Sequence, residues 1–239
     1  MSKPKPAYYP VFLDLTGKPC VVFGGGSVAE GKISKLRDAG ARVTVVSPQV
    51  TESIQAAAQL GEVEWCAREY QPGDLAGAVL GIAATSGRTV NQLICQEAKR
   101  LGVLLNVVDD PSQCTFIAPS IVNRGPVTVA ISTGGTSPAL ARKLREVLTG
   151  SAALDWADLA GVMSQARNEV KAQGVAVDPQ RWQCCLTTEL LEEAQGGHEE
   201  AALATLLSSL LDENTAQLCP KVDQCQPGGC RRMPESSGR

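Results

Sequence analysis

The sequence predicts an α/β fold: a doubly wound parallel sheet, then a small α+β segment and a helical C-terminal region. Three observations predict it. Through residue 114, apolar runs of strand length alternate with helix-like stretches. Those runs are apolar on both faces, as strands are when helices cover both sides of their sheet. After residue 114 the alternation gives way to two β-branched runs separated only by NRGP, and then to helical periodicity.

The elements follow in order. CVVF (20–23) is the first strand. Val28, Ala29, Ile33, Leu36 and Ala39 then recur at helical spacing, and Gly40 stands where a helix end favours a left-handed residue. RVTVVSP (42–48) is a β-branched strand, residues 51–60 a helix and EVEWC (62–66) a short strand. VLGIAAT (79–85) is a buried strand, VNQLICQEAKRLG (90–102) a helix ending at glycine, and VLLNVVDDP (103–111) a strand stopped by two carboxylates and a proline. FIAPSIV and VTVAIST (127–133) read as a hairpin-like pair. GGTSPALARKLREVL (134–148) opens a helix, with Ser137 as N-cap and Pro138 at the first helical position. Residues 151–173 and 186–212 are mainly helical, with a break at GVAVDP (174–179). The stretch from Cys219 to Arg239 is rich in Pro, Gly, Ser and charge, which predicts a disordered tail. The domain boundaries that result are 1–114, 115–150, 151–215 and a tail at 216–239.

Composition narrows the function. At 239 residues and 44% apolar content the chain can bury a sizeable core. A net charge of -3 suggests neither a nucleic-acid partner nor a polybasic membrane contact. The N-terminal stretch MSKPKPAYYPVFLDL lacks a signal-peptide core, and no apolar run reaches bilayer length, so a cytoplasmic protein is expected. Nine cysteines, an odd number, argue against a disulfide framework. His198 is the sole histidine, which excludes multi-histidine metal sites, and no metal ligand set is expected. Cys219, Cys225 and Cys230 lack the paired C-x2-C spacing of a zinc site, and a tail that happens to hold cysteines is the simpler reading.

Gly24-Gly25-Gly26-Ser27-Val28-Ala29 matches G-x-G-x-x-A with a strand before it, a helix after it and a second β-branched strand at 42–46. In that context it is the Rossmann-like fingerprint: Gly24 for the tight turn, Gly26 for close approach of a pyrophosphate, and Ala29 for close helix–strand packing. The helix N-terminus then offers N–H groups to the phosphates. A glycine-rich turn without a ligand is the other reading. The second strand ends at Val46-Ser47-Pro48, where an acidic residue usually bonds the adenosine ribose. Ser47 can bond a ribose hydroxyl but cannot repel a 2′-phosphate. No arginine follows it directly, so the residues favour NAD over NADP only weakly.

PVFLDLTGKPCVVFGGGSVAEGKISKLRDAGARVTVVSP, GIAATSGRTVNQLI and NVVDDPSQCTFIAPSIVNRGPVTVAISTGGTSPALARKLRE together resemble the sirohaem synthase N-terminal module, which comprises precorrin-2 dehydrogenases that are often also sirohydrochlorin ferrochelatases. The resemblance covers residues 7 to 148 well and continues loosely to about 212. It implies NAD-dependent oxidation of precorrin-2, a tetrapyrrole with eight carboxylates, to sirohydrochlorin. In some members Fe²⁺ insertion follows. It further implies a homodimer, with residues 115–150 as the dimerisation segment and 1–114 as the NAD-binding domain. The family often carries a C-terminal methyltransferase domain. This chain ends too early to hold one, so no methyltransferase activity is expected.

The resemblance assigns Asp109 as the catalytic carboxylate. Its place at the C-terminal end of a parallel strand suits a proton acceptor, although a turn-forming Asp-Asp-Pro is the alternative on the residues alone. Asp110 reads as a turn residue. Thr85, Asn91 and Asn106 lie near the expected cofactor site. Where the family commonly has acidic residues after AAT, this chain has Ser86 and Gly87, which puts any role for charge at that loop in doubt. Thr133, Gly134, Gly135, Thr136 and Ser137 lead into a helix N-terminus that could take a substrate carboxylate, or they merely cap that helix. Arg124, Arg142, Lys143, Arg145, Lys32 and Arg88 are candidate cations for the tetrapyrrole, and a solvated helix face is the plainer reading for Arg142, Lys143 and Arg145 taken singly. Two rival functions remain at this level. A nucleotide-sensing domain would need no carboxylate in a cleft, and a chelatase alone would need no dinucleotide motif.

Overall fold

The computed structural model describes residues 8–211. The cysteine-bearing tail, with Cys219, Cys225 and Cys230, lies outside the described residues. The chain divides into two compact units. One runs to Pro119 and takes in Ser132–Pro138; the other comprises Ser120–Ile131 and the chain from Ala139 onward.

The first unit is built on five parallel strands: β1 (Pro19–Phe23), β2 (Arg42–Val46), β3 (Glu64–Cys66), β4 (Leu80–Ala83) and β5 (Leu104–Val107). Their order is β3-β2-β1-β4-β5. The order reverses between β1 and β4, and open α/β sheets bind their ligands outside the strand ends at such a point. Val22 of β1 stands between Val45 of β2 and Ile82 of β4. Successive side chains of a strand face opposite ways, so β1 serves two cores. Cys20 and Val22 pack with Ala29, Ile33 and Leu36 of α1 (Ser27–Asp38) and with Ile54 and Ala57 of α2 (Glu52–Gln59). Val21 and Phe23 pack with Ile94, Cys95 and Ala98 of α3 (Arg88–Leu101). Gly40, just beyond α1, and Gly102, which caps α3, both take the left-handed backbone expected of them.

The expected strand at FIAPSIV is shorter than the sequence suggests. Thr115 and Phe116 lie along β5 instead. The Thr115 N–H donates to Leu105 O at 2.8 Å, the Leu105 N–H donates to Thr115 Oγ1 at 2.7 Å, and Asn106 Nδ2 donates to Phe116 O at 3.2 Å. A side-chain hydroxyl replaces a backbone partner here, which covers the sheet edge without adding a strand.

The second unit begins with the antiparallel hairpin of β6 (Ser120–Arg124) and β7 (Val127–Ile131), turned through Gly125 and Pro126. α4 (Pro138–Thr149) starts at its proline, as expected. The predicted helix over 151–173 opens as 3-10 turns at Ala152–Leu159 and becomes α5 only at Ala160–Ala172. After the break come α6 (Pro179–Cys184), α7 (Thr188–Gln195) and α8 (Glu199–Leu211). Leu159, Val162, Ala166, Leu190, Leu206 and Leu210 form their shared core. Among the described residues no helix is long and apolar enough to cross a membrane.

Candidate dinucleotide-binding and active site

The glycine turn occupies the C-terminal end of β1. Gly24 has φ +108°, and a Cβ there would lie 2.5 Å from Ala84 O, so only glycine fits. Gly25 is equally constrained, because a Cβ would come within 2.1 Å of Gln49 O. Its carbonyl accepts the Thr51 N–H at 2.9 Å, which fastens the turn to the segment after β2. Gly26 differs. Nothing lies within 4 Å of where its Cβ would be, and it stands as N-cap of α1 with no side chain capping the helix. Helix N-termini leave N–H groups that need acceptors, and an anion supplies them. The residues present therefore fit a dinucleotide pyrophosphate. Ser27 and Val28 are exposed in the first turn, Val28 at 53%, an apolar surface beside the phosphate position. Ala29 is fully buried against the sheet.

Ser47 is turned inward. It is buried, its hydroxyl donates to Gln49 O at 2.6 Å, and its carbonyl accepts from Trp65 Nε1 at 2.9 Å. Its proton is thus committed within the protein and is not offered to a ribose. Sequence reasoning missed the carboxylate nearby. Glu30 of α1 accepts the Thr51 hydroxyl at 2.7 Å, and the same Thr51 oxygen caps α2 by accepting the Ile54 N–H. The only sequence signal was a threonine placed to cap a helix.

Thr85 and Asn91 hold each other. The Thr85 hydroxyl donates to Asn91 Oδ1 at 2.7 Å, and Asn91 Nδ2 donates to Thr85 O at 3.1 Å. They pin the turn between β4 and α3. Asn106 is spent on the strap beside β5, as described above.

Asp109 follows β5 in a turn closed by the Asp110 N–H to Val107 O at 3.3 Å. Its φ is +61°, the only positive φ outside glycine among the described residues. The residue is exposed. Asp110 is fully used: its carboxylate accepts from Ser112 Oγ at 2.6 Å and Gln113 Nε2 at 2.8 Å. These two bonds hold its carboxyl below the usual value. The turn-residue reading of Asp110 fits this geometry. Lys32 of α1 is half-buried. Burial and then Lys35 draw its ammonium below the ordinary value, while Cys114 and Asp109 oppose that shift. Burial raises the Cys114 thiol, and the Val107 backbone, whose N–H reaches Cys114 Sγ at 3.1 Å, lowers it. Among the described residues no three His, Cys, Asp or Glu side chains gather as a metal-ligand cluster.

The STGGTSP loop closes on itself. Thr133 Oγ1 accepts the Ser137 N–H and donates to Ser137 O, both at 3.1 Å, and the Thr136 N–H donates to Thr133 O at 3.0 Å. Gly134 and Gly135 are both left-handed, at φ +59° and +77°. Arg142 is exposed on α4 and makes no ion pair among the described residues. Arg124, a candidate substrate cation, forms ion pairs within the second unit. Its guanidinium pairs with Asp158 at 2.7 Å and with Asp155 at 2.5 Å. Gln195 donates to the same Asp158, so the three residues tie β6 to the 3-10 turns and α7.

Two family descriptions match the chain in succession: "Putative NAD(P)-binding" over residues 11–120 and "Sirohaem biosynthesis protein central" over residues 124–151. Siroheme synthase 1 of Aeromonas salmonicida (strain A449) is 41% identical over 210 residues, covering 87% of this chain and 45% of that protein. Siroheme synthase of Methylobacillus flagellatus is 41% identical over 196 residues, covering 81% of this chain and 42% of that protein. The chain spans about half the length of the relatives it matches. Among solved structures, "SirC, precorrin-2 dehydrogenase" matches with a TM-score of 0.64 at 24% identity, over 83% of this chain and 98% of that one, a likeness of fold. With an uncapped glycine turn at its switch point, two successive family matches and relatives at 41% identity over most of its length, the chain is similar to sirohaem synthases over about half of their length.

Proposed function

We propose that this chain is an NAD-dependent precorrin-2 dehydrogenase that produces sirohydrochlorin. One observation carries the reading. The open Gly26 helix N-terminus and Asp109 stand at the same C-terminal edge of one parallel sheet, after β1 and β5, with β4 between them. NAD⁺, when bound, accepts the hydride. The chain's own part is to grip the pyrophosphate with the N–H groups of Ser27 and Val28 and to take the accompanying proton on the Asp109 carboxylate. Thr85 and Asn91 keep the neighbouring turn in place, and Asn106 fixes the strap beside Asp109. The self-bonded Thr133–Ser137 loop is assigned to a carboxylate of the macrocycle.

The proposal extends to a homodimer and a cytoplasmic location. Leu144 and Val147 of α4 are 40% and 56% exposed on one helical stripe, an apolar surface suited to a second copy. All six cysteines among the described residues are free thiols, as in a reducing compartment.

The test is anaerobic. Purified protein, precorrin-2 and NAD⁺ are followed by absorbance for NADH and sirohydrochlorin, and Fe²⁺ is then added as a substrate. We expect NADH and sirohydrochlorin in equal amounts. A sirohaem spectrum growing faster than background after Fe²⁺ assigns metal insertion to the chain as well; its absence leaves a dehydrogenase. Gly26→Asp should fold, since space surrounds that position and its φ is ordinary, yet abolish turnover by placing a carboxylate at the phosphate. No NADH from folded wild-type protein with authentic substrate would replace this reading with a nucleotide-sensing domain.

A further inference from the structure

The expected acidic residue at the end of β2 is missing, and Ser47 is turned away. The adenosine half of a dinucleotide lies on the β2 side of the glycine turn, because the residue that usually bonds its ribose comes from there. The element facing that side is the segment Ser47–Thr51. It packs directly against the turn: Gln49 O sits where a Gly25 Cβ would be, and the Thr51 N–H bonds Gly25 O at 2.9 Å. Into this corner α1 sends one carboxylate. Glu30 is partly buried and is held by the Thr51 hydroxyl at 2.7 Å, so its charge is fixed in place. Between Ser47 and Glu52 there is no lysine or arginine to welcome a phosphate. Glu52, the other acid of the corner, is exposed in the first turn of α2 and makes no side-chain bond among the described residues.

We propose that Glu30, braced by Thr51, is the specificity-determining carboxylate that makes this site reject a 2′-phosphate and so select NAD over NADP. The role that β2 usually supplies is moved to the first turn of α1. The inference rests on the dinucleotide reading above. A fixed carboxylate roughly 6 Å from a dianionic phosphate is worth about tenfold in a binding ratio at the water-like dielectric of an open cleft.

Binding is measured directly on the full chain with NAD⁺, NADP⁺, ADP and 2′,5′-ADP, without substrate. Wild type should bind NAD⁺ and ADP about tenfold or more tightly than their 2′-phosphorylated forms. Glu30→Gln should raise NADP⁺ and 2′,5′-ADP affinity by about tenfold and change NAD⁺ affinity by less than about twofold. Glu52→Gln, which removes the same charge from the exposed neighbour, should leave the ratio unchanged. Equal gains for both dinucleotides in Glu30→Gln would overturn the inference, because Glu30 would then act on the pyrophosphate alone. An equal effect of Glu52→Gln would overturn it too, since bulk charge would then suffice. Wild-type protein that binds none of the four ligands would overturn the dinucleotide reading itself, and this inference with it.

Discussion

Asp109 sits in a backbone conformation that costs an L-residue about 1–2 kcal/mol, less for Asp and Asn because their short polar side chains bond locally. This decides how its role should be tested. Alanine would remove the carboxylate and worsen the left-handed backbone together, so lost activity could be lost folding. Asparagine keeps shape and backbone tolerance. We expect Asp109→Asn to hold NAD⁺ affinity within about twofold and to lower turnover at least about 100-fold, as loss of a positioned base does. Undiminished turnover would place the base elsewhere. At this scale the sequence was partly legible. The glycines announced themselves because backbone geometry leaves no other residue at Gly24 and Gly25. Glu30 and Thr51, 21 positions apart, did not, since nothing in local periodicity says that two polar side chains will meet across a turn. The partners of Arg124 were hidden for the same reason: a lone arginine in a motif carries no sign of the two aspartates, 31 and 34 positions on, that hold it.

Strands and helices were legible because their periodicity is local, and the errors gather at ends. β4 and β5 stop at Ala83 and Val107, before the turns that the apolar runs continue into. The connection between β3 and β4 shows what pattern cannot report. Glu97 of α3 is buried, and its carboxylate accepts the Tyr70 hydroxyl at 2.7 Å and the Gly73 N–H at 2.8 Å. The Leu75 N–H reaches it at 3.4 Å. Burial first, and then this carboxylate, push the Tyr70 phenol well above its usual value, so it stays a donor. Tyr70 in turn meets the Phe23 ring edge-on at 5.5 Å, directly before the glycine turn. Glu97→Ala should leave these donors unpaired and cost about 2–3 kcal/mol. Amide exchange at Gly73 and Leu75 should quicken; unchanged exchange there would show that the connection does not depend on Glu97.

For the whole molecule, alternation of strand and helix was enough to place a doubly wound sheet, because covering both faces of a parallel sheet leaves few alternatives. Surfaces were less legible, since exposure depends on what packs where. α4 reads as an amphipathic helix, yet Ala141 is its only buried residue. If Leu144 and Val147 meet a second copy, Leu144→Glu should convert a dimer to a monomer in sedimentation velocity while NAD⁺ affinity stays unchanged. A dimer that survives the substitution would move the interface elsewhere. The path of the chain between the two units has its own consequence. The backbone passes from one to the other at Pro119–Ser120, returns at Ile131–Ser132 and leaves again at Pro138–Ala139. Neither unit is therefore a continuous stretch of sequence. During synthesis the first unit waits for its last piece until residue 138 has left the ribosome, after the whole hairpin of the second has already emerged. No single protease cut can release both units complete, and a gene truncated after residue 119 encodes a sheet without its final loop.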